Sequence, residues 1–157
     1  MRRRSFQLLR SKVKDKHTAP FIDDFAVPPH ALSELLPKVN QIFKKHPGMI
    51  YTIAGHVGDG NFHIIPLMKI EDPKNRKAIP EISKKVFQMV IDMGGTIDAE
   101  HNDGLIRTPY LEMQYGKNVI GLFKQAKDIF DPDNIFNPRK KVGGTLEYAM
   151  SKVRTTW

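Results

Sequence analysis

Two histidines, His56 and His63, flank a Gly-Asp-Gly-Asn run in "GHVGDGNFH". Imidazole both titrates near neutral pH and ligates divalent metals, so a close pair is a candidate site. Whether the two meet depends on the turn between them. Asp59-Gly60 is a two-residue hairpin signal, because a type I′ turn needs positive φ at both central positions. The flanks "MIYTIA" and "FHIIPLM" are rich in the β-branched and aromatic residues of strands. With Asp59 and Gly60 at the tip, Gly58 faces Asn61, Val57 faces Phe62 and His56 faces His63. Directly opposed residues share a sheet face with Cβ atoms about 5 Å apart.

A third donor stands in "TIDAEHNDG". Glu100, at the end of a short strand, can join the two rings if that strand lies beside the hairpin. Two imidazole nitrogens and a carboxylate, with open positions left over, suit zinc, manganese or iron acting as a Lewis acid. His101 faces away if the strand continues. If the chain turns at "HNDG" it faces inward, where it could act as a general base. The plainer reading of each residue is strong. A lone histidine on a strand is usually a surface or hydrogen-bonded residue, and Asp-Gly is usually only a turn. The coincidence is what favours a metal.

The elements that must position these groups follow from periodicity. "TAPFIDDFAVPP" is a candidate strand with Phe21, Asp23, Phe25 and Val27 on one face, ended by Pro28-Pro29. "HALSELLPKVNQIFKKH" has helical spacing at Leu32, Leu35, Leu36, Val39, Ile42 and Phe43, with Pro37 as a candidate kink. After the hairpin, "KIEDPKNRK" reads as a polar connection. "AIPEISKKVFQMVIDMGG" reads as a helix with a stripe of Ile79, Ile82, Val86, Met89, Val90 and Met93, stopped by Gly94-Gly95. "TIDAE" is a short strand. Two further helices divide at Gly116, and "TLEYAMSKV" is a candidate short one. Residues 1 to 12 read as the end of a helix without a start signal, which suggests a chain cut from something longer. The order is the β-α-β-β-α-β pattern of a ferredoxin-like α+β fold, an antiparallel sheet with helices on one face, plus C-terminal helices.

A chain of 157 residues is about one domain, and 40% hydrophobic with 27% charged residues is an ordinary globular composition. No apolar run approaches the roughly 20 residues of a transmembrane helix. The basic start lacks an apolar segment behind it, which argues against a secretory signal. Zero cysteines exclude disulfides, thiolate catalysis and cysteine-held metals, and agree with a cytoplasmic setting. The net charge of +8 is mostly interspersed with acidic residues. Its two dense basic clusters lack stacking aromatics, so nucleic acid is not the expected partner.

"AGHVGDGNFHIIPL", "GGTIDAEHNDGLIRTPYL" and "AKDIFDPDNIFNPRK", in that order, resemble the C-terminal domain of FAD-linked oxidases of the vanillyl-alcohol-oxidase type. That group includes D-lactate dehydrogenases, the glycolate oxidase D subunit and D-2-hydroxyglutarate dehydrogenase. The resemblance implies that His56, His63 and Glu100 bind a divalent metal and that His101 takes the proton from the substrate's hydroxyl. It implies that Arg2, with Arg3 as the rival, holds the substrate carboxylate, and that Asn137 lies close to FAD. It makes residues 1–142 the substrate- and metal-side domain, N-terminally incomplete, with 143–157 a tail.

There are departures. Members acting on a dicarboxylate carry a lysine where this chain has Ile22 and an asparagine where it has Ile65. Asn102 and Arg139 stand where the family has glycines. The first two changes imply a smaller or more apolar 2-hydroxy acid. No glycine-rich loop between a strand and a helix is present to cradle a dinucleotide, so FAD would have to be held by a flavin-binding domain or subunit. The face meant for that domain could also pair with a second copy. Two other readings are a non-catalytic remnant keeping the fold and the metal, and a basic nucleic-acid-binding module.

Overall fold

The computed structural model describes residues 13–155, so the expected N-terminal helix, Arg2 and Arg3 lie outside the described residues. Strand β1 (His17–Thr18) and strand β2 (Ile22–Ala26) run in succession along one side of β4 (Asn61–Met68), and β3 (Ile50–Ala54) runs along the other. All pairings are antiparallel. Helix α1 (Leu32–Lys44) links β2 to β3, and α2 (Pro73–Asp92) follows β4. Past β2 the expected strand "TIDAE" is reduced to one bridge, Thr96 to Ala26. The sheet order Thr96, β2, β4, β3 keeps the expected α+β arrangement.

β4 is buried at every position except Ile65, which is half-buried. It is the central strand, paired along both edges, and both of its faces are largely buried. Its Phe62, Ile64 and Met68 pack with Ile22 and Phe25 against Leu35, Val39 and Phe43 of α1 and Ile79, Ile82, Val86 and Val90 of α2. Each such side chain contributes about 1.5–3 kcal/mol on full burial.

α1 runs through Pro37. α2 begins at Pro73, a turn and more before its apolar stripe. Asp72 caps it, accepting the Lys74 N–H at 2.8 Å, and Pro73 takes the first helical position. Residues 73–77 of the segment read as a polar connection are therefore helix, and this first turn is largely exposed, while 69–72 remain a connection. After the short α3 (Gly104–Arg107), helix α4 (Leu111–Phe130) is broken at Gly116, where φ is +74°. The short C-terminal helix, α5 (Leu146–Ser151), is capped by Thr145, which accepts the Tyr148 N–H at 3.1 Å.

Two local expectations are corrected. In β2, Asp24 has φ +65° and the register shifts between Ile22 and Phe25. This bulge breaks the alternation, so Phe21, Asp23, Phe25 and Val27 do not share a face. Ile22 and Phe25 both enter the core, while Asp23 lies beside His63. In the hairpin, β3 ends early and Ala54 rather than His56 pairs with His63. Val57–Asp59 form a 3₁₀ turn and only Gly60 takes the left-handed conformation, at φ +68°. Asp59 lacks the positive φ a type I′ turn requires. The register slips by two residues, an even number, so the face carrying His63 is the one anticipated.

Candidate metal centre

His63 alternates along β4 with the core residues Phe62 and Ile64, which puts it on the face away from α1 and α2. His56 reaches the same place from the 3₁₀ turn, which is closed by the Asp59 and Asn61 N–H groups on the His56 carbonyl at 2.9 and 3.2 Å. The two rings lie 6.3 Å apart, nearly perpendicular. Glu100 and His101 come from the loop after α2. Glu100 Oε1 is 2.9 Å from His63 Nε2, 3.4 Å from His56 Nδ1 and 3.5 Å from His101 Nε2. The His101 ring is stacked on His63, with centroids 4.7 Å apart and planes within 6°. The chain thus turns inward at "HNDG", and His101 joins the group.

Four residues that the sequence did not assign to the site hold this arrangement. Asp23 Oδ1 lies 2.9 Å from His63 Nδ1, and Asp23 Oδ2 lies 3.6 Å from His101 Nδ1. The Asp23–His63 contact is short but out of line for a hydrogen bond, leaving both atoms buried without one. Asp24 is fully buried. It accepts the backbone N–H groups of Ala99, Glu100 and His101 at 3.2, 3.0 and 2.7 Å. Burial pushes its carboxyl upward, but these donors outweigh it and hold the group at about 2. Asn61 donates to Asp24 Oδ1 at 3.0 Å and turns its own oxygen to His56 Nδ1 at 3.2 Å.

Arg107, also buried, donates to the carbonyls of Asp23 and Asn102, tying the β2 bulge to the loop. Its guanidinium lies 3.5 Å from Asp98 and 3.8 Å from Asp24. Burial and the nearby Asp103 charge nevertheless push the Asp98 carboxyl up to about 6. One sequence signal for this group was available: two adjacent acids inside the apolar strand "FIDDFAV". Charged residues buried in a strand require partners.

A cavity of about 320 Å³ opens beside the cluster, lined by His56, Asn61, Thr96 and Glu100 among others. A larger groove of about 820 Å³ lies between α1 and α2, and His56, His63, Glu100 and His101 are not among its lining residues. Asn137 is exposed in the turn after α4, with φ +46°. Asn102 and Arg139, the two glycine departures, have φ +67° and +61°. Both positions favour glycine for its backbone. The Arg139 guanidinium packs over the Tyr148 ring at 4.4 Å. Ile65 alternates with His63 on the same face, next to Thr52 of β3. Ile22 is in the core, so its side chain has no bearing on a substrate beside the histidines.

The donor set fits a divalent cation. Among the described residues, donor atoms of Asp24, His63, Glu100 and His101 lie within 4.8 Å of one another. A carboxylate oxygen offers about two lone-pair sites, so Glu100 Oε1 cannot satisfy three imidazoles by hydrogen bonds alone.

With the site described, the class of protein follows. The family model for FAD linked oxidases, C-terminal domain, matches residues 1–141, and the chain belongs to that family. It is 35% identical over 119 residues to the glycolate oxidase subunit GlcD of Bacillus subtilis, covering 76% of this chain and 25% of that protein. It is 32% identical over 140 residues to D-2-hydroxyglutarate dehydrogenase of Pseudomonas putida, covering 89% of this chain and 14% of that one. The chain therefore spans a quarter or less of these two relatives' length.

Proposed function

We propose that the chain is the substrate- and metal-binding part of an FAD-dependent 2-hydroxy-acid dehydrogenase or oxidase, completed by a flavin-binding domain or subunit. The observation that carries this reading is the convergence of three imidazole nitrogens within 3.5 Å of Glu100 Oε1. His56, His63 and Glu100 would hold the ion, leaving open positions for substrate. When bound, a divalent ion supplies Lewis-acid polarisation of the substrate hydroxyl, and FAD is the hydride acceptor.

The chain's own residues do the rest. His101, about half exposed, takes the hydroxyl proton on a ring nitrogen. Asp23, beside its other nitrogen, steadies the imidazolium that results. Arg2 pairs with the substrate carboxylate. Ile65, on the same face of β4 as His63, is an apolar side chain, which favours a glycolate- or D-lactate-like acid over a dicarboxylate. Asn137 faces the flavin domain, which docks on the exposed Ile129, Phe130, Ile135 and Phe136 around it.

The test is a chimera in which this chain replaces the C-terminal quarter of the B. subtilis GlcD protein. Reduction of its flavin by glycolate or D-lactate, lost in His101→Gln, is expected. A chimera that folds and retains FAD but is reduced by no 2-hydroxy acid would leave the chain a non-catalytic domain.

A further inference from the structure

We propose that Asp23 is the positioning residue of the metal centre, its carboxylate on the Nδ1 side of both His63 and His101 turning the Nε2 atoms of both rings to Glu100. This rests on reading the histidine–glutamate cluster as a metal site. Asp23 Oδ1 lies 2.9 Å from His63 Nδ1, and Oδ2 lies 3.6 Å from His101 Nδ1. On the other side, Glu100 Oε1 lies 2.9 Å from His63 Nε2 and 3.5 Å from His101 Nε2. The two rings are stacked, with planes within 6°. Two nearly parallel imidazoles thus stand between two carboxylates, and each carboxylate meets the same ring nitrogen on both.

The two nitrogens of an imidazole are distinct and point apart, so an ion held through Nε2 beside Glu100 is not shared with a carboxylate at Nδ1. Asp23 is therefore an orienting group and not a ligand. His63 Nδ1 and Asp23 Oδ1 are both buried and have no hydrogen-bond partner among the described residues. Buried polar atoms require one, and these two are neighbours at 2.9 Å. A turn of the carboxylate brings the N–H into line. A carboxylate accepting the outer N–H is the usual way in which a ligating histidine is oriented. The same placement assigns Nε2 of His101 as the nitrogen that meets the substrate proton.

The backbone is built to aim this side chain. Regular alternation would put Asp23 on the face of Phe25, which is in the core. The bulge at Asp24 lets Ile22 and Phe25 both enter the core and re-aims Asp23 to the histidines. Arg107 donates to the Asp23 carbonyl and fixes the bulge in place.

The experiment titrates zinc into the full chain and reads the histidine ring nitrogens and ring-proton contacts by NMR. Asp23→Ala and Asp23→Leu remove the acceptor, the second filling its space, so either one that folds serves. Asp23→Asn keeps an oxygen acceptor. In wild type and Asp23→Asn, zinc should sit on Nε2 of His63. The acceptor-free variants should bind zinc at least tenfold more weakly, in line with the loss of outer partners elsewhere. Their His63 should coordinate through both nitrogens, which a part in folding alone would not bring about. Zinc on Nδ1 of His63 in wild type would overturn the proposal. So would coordination through Nε2 alone in the acceptor-free variants, whatever their affinity. If wild type takes up no zinc, the metal reading fails by itself, and the ring-proton contacts decide the positioning. One His63 orientation in wild type and two without the acceptor would support it, and one in both would overturn it.

Discussion

Glu100 Oε1 has imidazole nitrogens from His56, His63 and His101 within 3.5 Å, from two separate stretches of chain. The rings have different work. In the completed enzyme His101→Gln should lower kcat by about 10²–10⁴, the range for losing a general base. Metal content should stay the same, measured on the same sample. Equal loss of metal would make His101 a ligand rather than the base. His56, His63, Glu100 and His101 were legible in the sequence because each sits in or beside a strong local signal, a glycine turn or a strand end. Asp23, Asp24, Asn61 and Arg107 were not. Their partners come from segments up to 84 residues away, and hydrophobic periodicity carries no trace of a buried polar contact. Asn102 and Arg139 show a different limit. Each stands where the resemblance leads one to expect glycine, at a position whose φ is positive, +67° and +61°, and a glycine there would answer a backbone need as well as leave room for a cofactor.

At the scale of elements, the site depends on how the 57–60 turn seats on the end of β2. The Val27 N–H bonds the Gly60 carbonyl at 3.1 Å, and a Cβ at Gly60 would stand 1.8 Å from the Val27 carbonyl oxygen. Gly60→Ala should therefore cost more than about 1 kcal/mol, read from urea unfolding, because it adds a clash to a positive φ. A smaller loss would mean the turn is free to shift. Strand alternation placed His63 on the correct face although the turn type was misjudged, since a two-residue slip preserves the face. The Asp24 bulge escaped because nothing local in "FIDDFAV" distinguishes a bulged strand from a regular one.

After α4, Asp131 accepts the Ile135 and Phe136 N–H groups at 2.8 and 2.9 Å and pairs with Lys127. The Lys127 ammonium holds its carboxyl below the usual 3.8, opposed by burial and helped by those N–H groups. A lowered pKa means the carboxylate's contribution is complete above about 3.8 and fades as pH falls below it. Amides 135 and 136 should exchange faster in that acid range, and at neutral pH in Asp131→Ala. Unchanged exchange would remove Asp131 as the clasp of the turn.

The whole molecule carries a second kind of surface besides the histidine cluster. The sheet and first two helices close an ordinary core, whereas Leu122, Ile129, Phe130, Ile135 and Phe136 are 59–84% exposed on and after the far half of α4. No described helix is long and apolar enough to cross a membrane. An exposed apolar patch of this kind marks an interaction surface. A Phe130→Ser, Phe136→Ser double variant should change stability by under about 0.5 kcal/mol, as exposed sites do. It should also reduce concentration-dependent self-association in sedimentation runs, where wild-type and variant profiles that match would leave the patch without a role in pairing two copies. The central claim concerns the histidine cluster. Metal analysis by mass spectrometry, after stripping and reloading with zinc or manganese, should find about one ion per wild-type chain and none in His56→Ala or Glu100→Ala. An ion retained equally by all three, or by none, would contradict a centre built from these residues.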